Sequence, residues 1–239
     1  MGINPVAIST SLLSNHPGHG KPEGMAVPAE TLAAMLKRLI ELSFIREDAV
    51  ILTGYFANAE QIGAVAAVIE GLDQAFYVCD PVLGDTPMGL YVPEDVAQGI
   101  KEKLVPMADV LTPNAFELGW LTGQDIPDKV AAHAACRRSL WDKEVVAKSI
   151  PQDDTLVTAF YDDRIEKTFA RPKLADVPHG TGDLLSGLIA GQLALGSPLI
   201  DGLGLALAQT ERVIAASAGT AALDLAVGLK DIPSIKADG

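Results

Sequence analysis

Short apolar runs rich in β-branched and aromatic residues alternate along the chain with longer stretches of helical periodicity. The run "PVAIST" opens the series; "AVILTG" follows a helix expected from about Pro28 to Ser43, and "AFYVCD" follows one from about Ala59 to Gly71. "ADVLTPN" comes after a helix near Glu94 to Lys103, and "EVVAKSI" after a helical region near Asp128 to Leu140. Each strand-helix-strand step is a βαβ unit, so the pattern predicts at least five parallel strands with helices on both faces. "TLVTAFYDD" and "RIEKTFA" meet at Asp162-Asp163 and predict an antiparallel hairpin added at the sheet edge. Two apolar helices, from Thr181 to about Leu195 and from about Ile200 to Leu223, precede a polar tail.

The 239 residues, 49% of them hydrophobic, are enough for one large core. Length alone leaves one α/β domain or two small ones open, and the absence of a linker or repeat favours a single domain over residues 1–239. A net charge of -13 argues against nucleic acid or an anionic membrane as partner, because both would repel the chain over long range. The longest uncharged run, Leu184 to Ile200, contains Ser186, Gln192, three glycines and Pro198, so it reads as a buried core helix rather than a membrane span. Two cysteines, Cys79 and Cys136, without paired spacing or a signal peptide, point to a reducing cytoplasm and no structural disulfide.

In open parallel sheets ligands bind beyond the carboxyl ends of the strands. The stretches "TGY", "CDPVLGD", "TPNAFE" and "KSIP" all fall at such ends and are expected to share one rim. "CDPVLGD" offers Asp80 and Asp85, while Asn114 and Glu117 lie three apart and share a face if Asn114 opens a helix. Oxygen ligands of this kind suit Mg²⁺, which keeps most of its waters. Taken singly, Asp80 is also a turn former before Pro81, and Asn114 with Glu117 also makes an N-cap and N3 pair. His16 and His19 stand in the Gly/Pro-rich "SNHPGHG", where a loop covering substrate or merely solvated outweighs a two-histidine metal site. Tyr55 can stack on a flat ring or sit half-buried in the core.

In "PHGTGD", Gly180 and Gly182 remove side-chain bulk, so backbone N–H groups can converge on an anion at the start of a helix. Asp183 then puts a carboxylate beside that cradle. A turn with an acidic first helical residue accounts for the same six residues. A transferring phosphoryl group accounts for both features: the amides stabilise the migrating charge while Asp183 accepts the proton of the attacking hydroxyl. Neither a Walker A loop nor a dinucleotide G-x-G-x-x-G is present.

Taken together, "LLSNHPGHG", "LTGYFANAEQ", "FYVCDPVLGD", "LYVPEDV", "LTPNAFELGWLTG", "VVAKSIP" and "HGTGDLLSG" resemble, in matching order, the pyridoxal kinases of the ribokinase-like superfamily. Hydroxymethylpyrimidine kinases, their neighbours, usually carry a cysteine where Asp183 stands. The resemblance implies a three-layer α/β/α fold with a mostly parallel central sheet and an antiparallel edge hairpin. It implies ATP-dependent phosphorylation of the 5′-hydroxymethyl group of a vitamin B6 vitamer, with Mg²⁺, room for an assisting monovalent cation, and a homodimer. By the same resemblance Asp183 looks like the general base, and Gly180, Thr181 and Gly182 with Asp183 form the anion hole. Asp80 and Glu117 orient the metal through water; Asn114, Thr112, Asp85 and Thr181 lie near the phosphates; Ser149 lies near the nucleotide. Tyr55 and His16 then belong to the vitamer's side of the site.

Two departures from the family pattern stand out. Relatives carry a further strand, loop and helix ahead of the segment matching "PVAISTSLLSNH", which here falls near Met1, and that piece normally supplies a central strand and a serine for the ring. Pro17 replaces a threonine common in the "SNH" loop and removes a hydroxyl and a backbone donor. Besides a pyridoxal kinase, a hydroxymethylpyrimidine or other ribokinase-like kinase is to be weighed, as is a catalytically impaired nucleotide- or vitamer-binding remnant.

Overall fold

A computed structural model describes residues 3–174 and 177–229; the polar tail lies outside the described residues. Contacts divide the chain into two compact units, Val6–Pro172 and a second made of Lys173–Gly239 with Met1–Pro5.

The first unit begins with β1 (Ser11–Leu13) and β2 (Gly24–Ala26), paired antiparallel around the "SNHPGHG" segment. Helix α1 (Ala29–Glu41) leads to β3 (Val50–Thr53), and α2 (Ala59–Ile69) leads to β4 (Phe76–Cys79). A two-stranded turn follows, β5 (Gly84–Asp85) against β6 (Gly89–Leu90). Helix α3 (Glu94–Gly99) continues as a π-helical turn over Ile100–Leu104, then leads to β7 (Val110–Leu111). Helices α4 (Ala115–Thr122) and α5 (Lys129–Ser139) precede β8 (Glu144–Gln152), β9 (Thr155–Tyr161) and β10 (Glu166–Pro172).

The six-stranded sheet has the order β10-β9-β8-β7-β4-β3. Pairings from β3 through β4 and β7 to β8 are parallel, and β8-β9 and β9-β10 are antiparallel, as the expected edge hairpin requires. Continuous apolar runs make these strands: Tyr77, Val78, Cys79, Val110, Leu111, Val145, Val146 and Ala147 are all buried. Helices α4 and α5 pack on β8, and each starts at a side-chain cap, Asn114 for α4 and Asp128 for α5.

Among the described residues four strands run parallel, where at least five were expected. "PVAIST" has strand composition but forms no strand, and it does not enter the six-stranded sheet. Side-chain bonds anchor the end of this segment instead: buried Gln61 donates from Nε2 to Thr10 O and to Val27 O, and Thr10 Oγ1 donates to Tyr55 O. A strand needs a neighbour to complete its ladder, and composition alone does not supply one.

In the second unit α6 (Thr181–Ala194) packs on α7 (Leu199–Ala216), and α7 on α8 (Leu225–Gly228). Buried Leu199, Leu203, Ala206, Leu207, Thr210, Val213 and Ile214 recur at helical spacing along α7. Gly228 lets the chain approach Val213 closely, since an added Cβ would stand 2.5 Å from Val213 Cα. The helix expected to reach Leu223 stops at Ala216. Ser217 Oγ donates back to Val213 O and accepts from Asp224 N, which turns the chain before α8. No helix among the described residues is long and apolar enough to cross a membrane. Cys79 and Cys136 are free thiols, both buried.

Candidate active site

Beyond the carboxyl ends of β4 and β7 the backbone stays in register with the neighbouring strand for one or two residues more. Asp80 N donates to Thr53 O at 3.0 Å, Thr112 N to Cys79 O at 3.0 Å, and Lys148 N to Pro113 O at 2.7 Å. Asn114 and Lys148 form an isolated parallel bridge. The rim expected from the topology thus brings Asp80, Thr112 and Asn114, just past β4 and β7, beside Lys148 in the middle of the neighbouring β8.

Asn114 opens α4, and the two polar readings of "PNAFE" coincide. Asn114 Oδ1 accepts from Glu117 N at 2.9 Å while Glu117 Oε2 accepts from Asn114 N at 2.8 Å, a complete capping box. Glu117 goes further than a cap: Oε1 accepts from Leu83 N at 2.9 Å, and Asn114 Nδ2 donates to Gly84 O at 2.8 Å. The "CDPVLGD" turn is therefore strapped to the start of α4. Gly84 has no room for a side chain, because a Cβ would stand 2.2 Å from Gly89 O. Val82, in the same turn, holds a left-handed φ of 48°, a costly conformation for a β-branched residue.

Asp80 and Glu117 are both buried, at 4% and 2% exposure. Lys148 Nζ donates to Asp80 Oδ1 at 3.0 Å and to Oδ2 at 2.9 Å. Burial pushes the Glu117 carboxyl up from its ordinary 4.5 to about 7; the Lys148 ammonium opposes the rise, the Asp80 carboxylate adds to it, and the two backbone donors oppose it. Lys148 reaches this position from a register shift in β8 between Ala147 and Ile150, where Ser149 takes a left-handed φ of 53°.

Of the other residues singled out from the sequence, Thr112 is fully buried and Ser149 half-buried at the bulge, while Asp85 is exposed on β5. Tyr55, 41% exposed, lies two residues past the end of β3. His16 is exposed, and its Nδ1 accepts from Gly18 N at the start of a single 3-10 turn, Pro17–His19. Gly180, Thr181, Gly182 and Asp183 belong to the second unit. There Gly180 is the N-cap of α6 with a left-handed φ of 94°, and it offers no side chain to the first-turn amides. Asp183 is exposed at the third helical position.

A family model described as phosphomethylpyrimidine kinase matches residues 1–225. The pyridoxine/pyridoxal/pyridoxamine kinase of Bordetella avium is 35% identical over 212 residues, covering 83% of this chain and 70% of that protein. The chain belongs to the pyridoxal kinase family. Pyridoxal kinase PdxY of Rubrobacter xylanophilus is 31% identical over 229 residues, which span 90% of this chain and 78% of its own. Among solved structures, the pyridoxal kinase of Leishmania donovani in complex with ADP and pyridoxamine matches with a TM-score of 0.78 at 29% identity, covering 92% of this chain and 80% of that one.

Pyridoxal kinases as a family are ribokinase-like, and the mostly parallel sheet with its antiparallel edge hairpin agrees with that fold. Sequence reasoning missed Lys148, although "VVAKSIP" was among the segments carrying the resemblance. A lysine inside an otherwise apolar strand was the available signal, since lysine is almost never fully buried without a partner.

Both oxygens of Asp80 and both of Glu117 already accept bonds from protein donors. Among the described residues no group of three or more His, Cys, Asp or Glu side chains could hold a metal ion. These carboxylates fit a hydrated Mg²⁺ that brings phosphate and water ligands of its own, and do not form a closed protein cage.

Proposed function

We infer that this chain transfers the γ-phosphoryl group of ATP to a vitamin B6 vitamer, at the 5′-hydroxymethyl group of pyridoxal, pyridoxine or pyridoxamine. The observation that carries this reading is the buried Asp80–Lys148–Glu117 cluster on the strand-end rim, strapped to "CDPVLGD" by the Asn114–Glu117 capping box. The names of the Bordetella avium and Rubrobacter xylanophilus relatives support it, as does the Leishmania donovani structure with ADP and pyridoxamine.

In this proposal Asp183 Oδ takes the proton of the attacking hydroxyl. The amides from Gly180 to Asp183, reinforced by the positive end of α6, stabilise charge on the migrating group. Asn114, Thr112, Asp85 and Thr181 act on the phosphates, and Ser149 on the nucleotide. Tyr55 and His16 act on the vitamer ring. Mg²⁺, when bound, neutralises phosphate charge; Asp80 and Glu117 orient it through water, and an assisting monovalent cation belongs to the same reading. A single kinase domain over residues 1–239, a homodimer and a cytoplasmic setting complete the proposal.

The test is ADP formation with pyridoxal, pyridoxine, pyridoxamine and hydroxymethylpyrimidine as acceptors. Vitamer-dependent turnover is expected. Turnover confined to hydroxymethylpyrimidine would support the second reading, which the phosphomethylpyrimidine kinase family model favours. No acceptor-dependent ADP would leave a binding remnant.

A further inference from the structure

Lys148 has no role in the chemistry described so far, yet it is one of the most buried charges in the first unit. Its side chain is 8% exposed and that of Asp80 5%. Such a pair gains little stability on its own account, because the desolvation of two ions offsets most of their attraction. It sits, however, on one of the two carboxylates proposed to face a divalent cation, and it spans both oxygens of that carboxylate at 3.0 and 2.9 Å. A divalent ion bound directly to Asp80 would stand within a few ångströms of the ammonium. The two positive charges repel at that range even with water-like screening. The formal charge of Asp80, Glu117 and Lys148 together is -1 rather than -2.

We infer that Lys148 is a positioning residue that occupies both oxygens of Asp80 and keeps the cation site at low charge, so that the cation enters with the nucleotide phosphates and through water instead of binding Asp80 directly. The inference rests on the reading of Asp80 and Glu117 given under Proposed function. Its consequence is that the site discriminates against a bare cation. A carboxylate pair without the lysine would hold the metal too early and too tightly, in a geometry set by Asp80 and not by the phosphates.

Mn²⁺ serves as the probe, with free ion measured by electron paramagnetic resonance at pH 7.5 on the full chain without nucleotide. Lys148→Met is expected to bind Mn²⁺ on the order of tenfold more tightly than the parent, because even with water-like screening a like charge within a few ångströms of a divalent ion weakens binding by at least that much. It should at the same time turn over more slowly, with a lower Mg²⁺ half-saturation. A residue that only supports the fold would weaken both binding and turnover. Lys148→Arg, which keeps the charge, should restore parental Mn²⁺ affinity.

Removing Lys148 alone strands a buried carboxylate and could unfold the chain, so a second comparison carries the same question. Asp80→Asn leaves a formal charge of zero, whereas the double variant Lys148→Met with Asp80→Asn returns it to -1. The double variant should bind Mn²⁺ on the order of tenfold more tightly than Asp80→Asn. Equal affinity in that pair, or no gain in a folded Lys148→Met, overturns the inference. If Asp80→Asn keeps parental Mn²⁺ binding in the presence of ATP, the role of Asp80 at the cation is what fails, and the part played by Lys148 falls with it.

Discussion

Asn114 and Glu117 cap each other, and the carboxylate that completes the cap also accepts Leu83 N, so one buried side chain fixes both the start of α4 and the turn after β4. Cap, strap and candidate cation ligand are the same few atoms. A change at either residue is therefore read first in stability and then in activity.

Asn114→Ala removes the cap and the bond to Gly84 O. Loss of an N-cap costs about 1 kcal/mol, and leaving the Gly84 carbonyl without its donor adds about another. Asn114→Ser keeps a capping oxygen and loses only the second bond, so its urea midpoint should fall between those of Asn114→Ala and the parent. Equal midpoints for the two variants would mean that the cap contributes nothing.

Glu117 gives a pH dependence of definite sign. Its carboxyl is raised in the folded chain, so between about 4.5 and about 7 the folded state keeps a proton that the unfolded state has lost. The stability this contributes is fully present below the unfolded value and is lost as pH rises through the folded one. Glu117→Gln cannot titrate. Relative to that variant, the parent should lose stability between pH 5 and pH 8 in urea unfolding. A gap between the two proteins that stays constant across this range would show that Glu117 does not change charge there.

Asp183→Ala should remove most turnover while leaving ATP affinity near the parental value, because a positioned base contributes on the order of a hundredfold or more to rate. Asp183 is exposed at the third residue of α6, and as an acidic first-turn residue it contributes about 0.3–1 kcal/mol of helix-terminus stabilisation. Parental turnover in the alanine variant, measured alongside nucleotide binding by calorimetry, would reduce Asp183 to an electrostatic cap.

What the sequence determined by itself is local. Asn114 and Glu117 stand at N-cap and N3 spacing, Gly180 precedes a helical run, and the alternation of apolar runs with helical periods marks βαβ units; each signal acts over a few residues and survives without knowledge of the rest of the chain. Tertiary structure decided the remainder. "PVAIST" has the composition of a strand and no ladder to join, and α7 ends where Ser217 and Asp224 bind each other rather than where hydrophobicity ends. Lys148 and Asp80 are 68 residues apart. Only the order of strands and a one-residue shift in β8 bring that ammonium onto that carboxylate, because burying either charge is tolerable solely where the fold supplies the other.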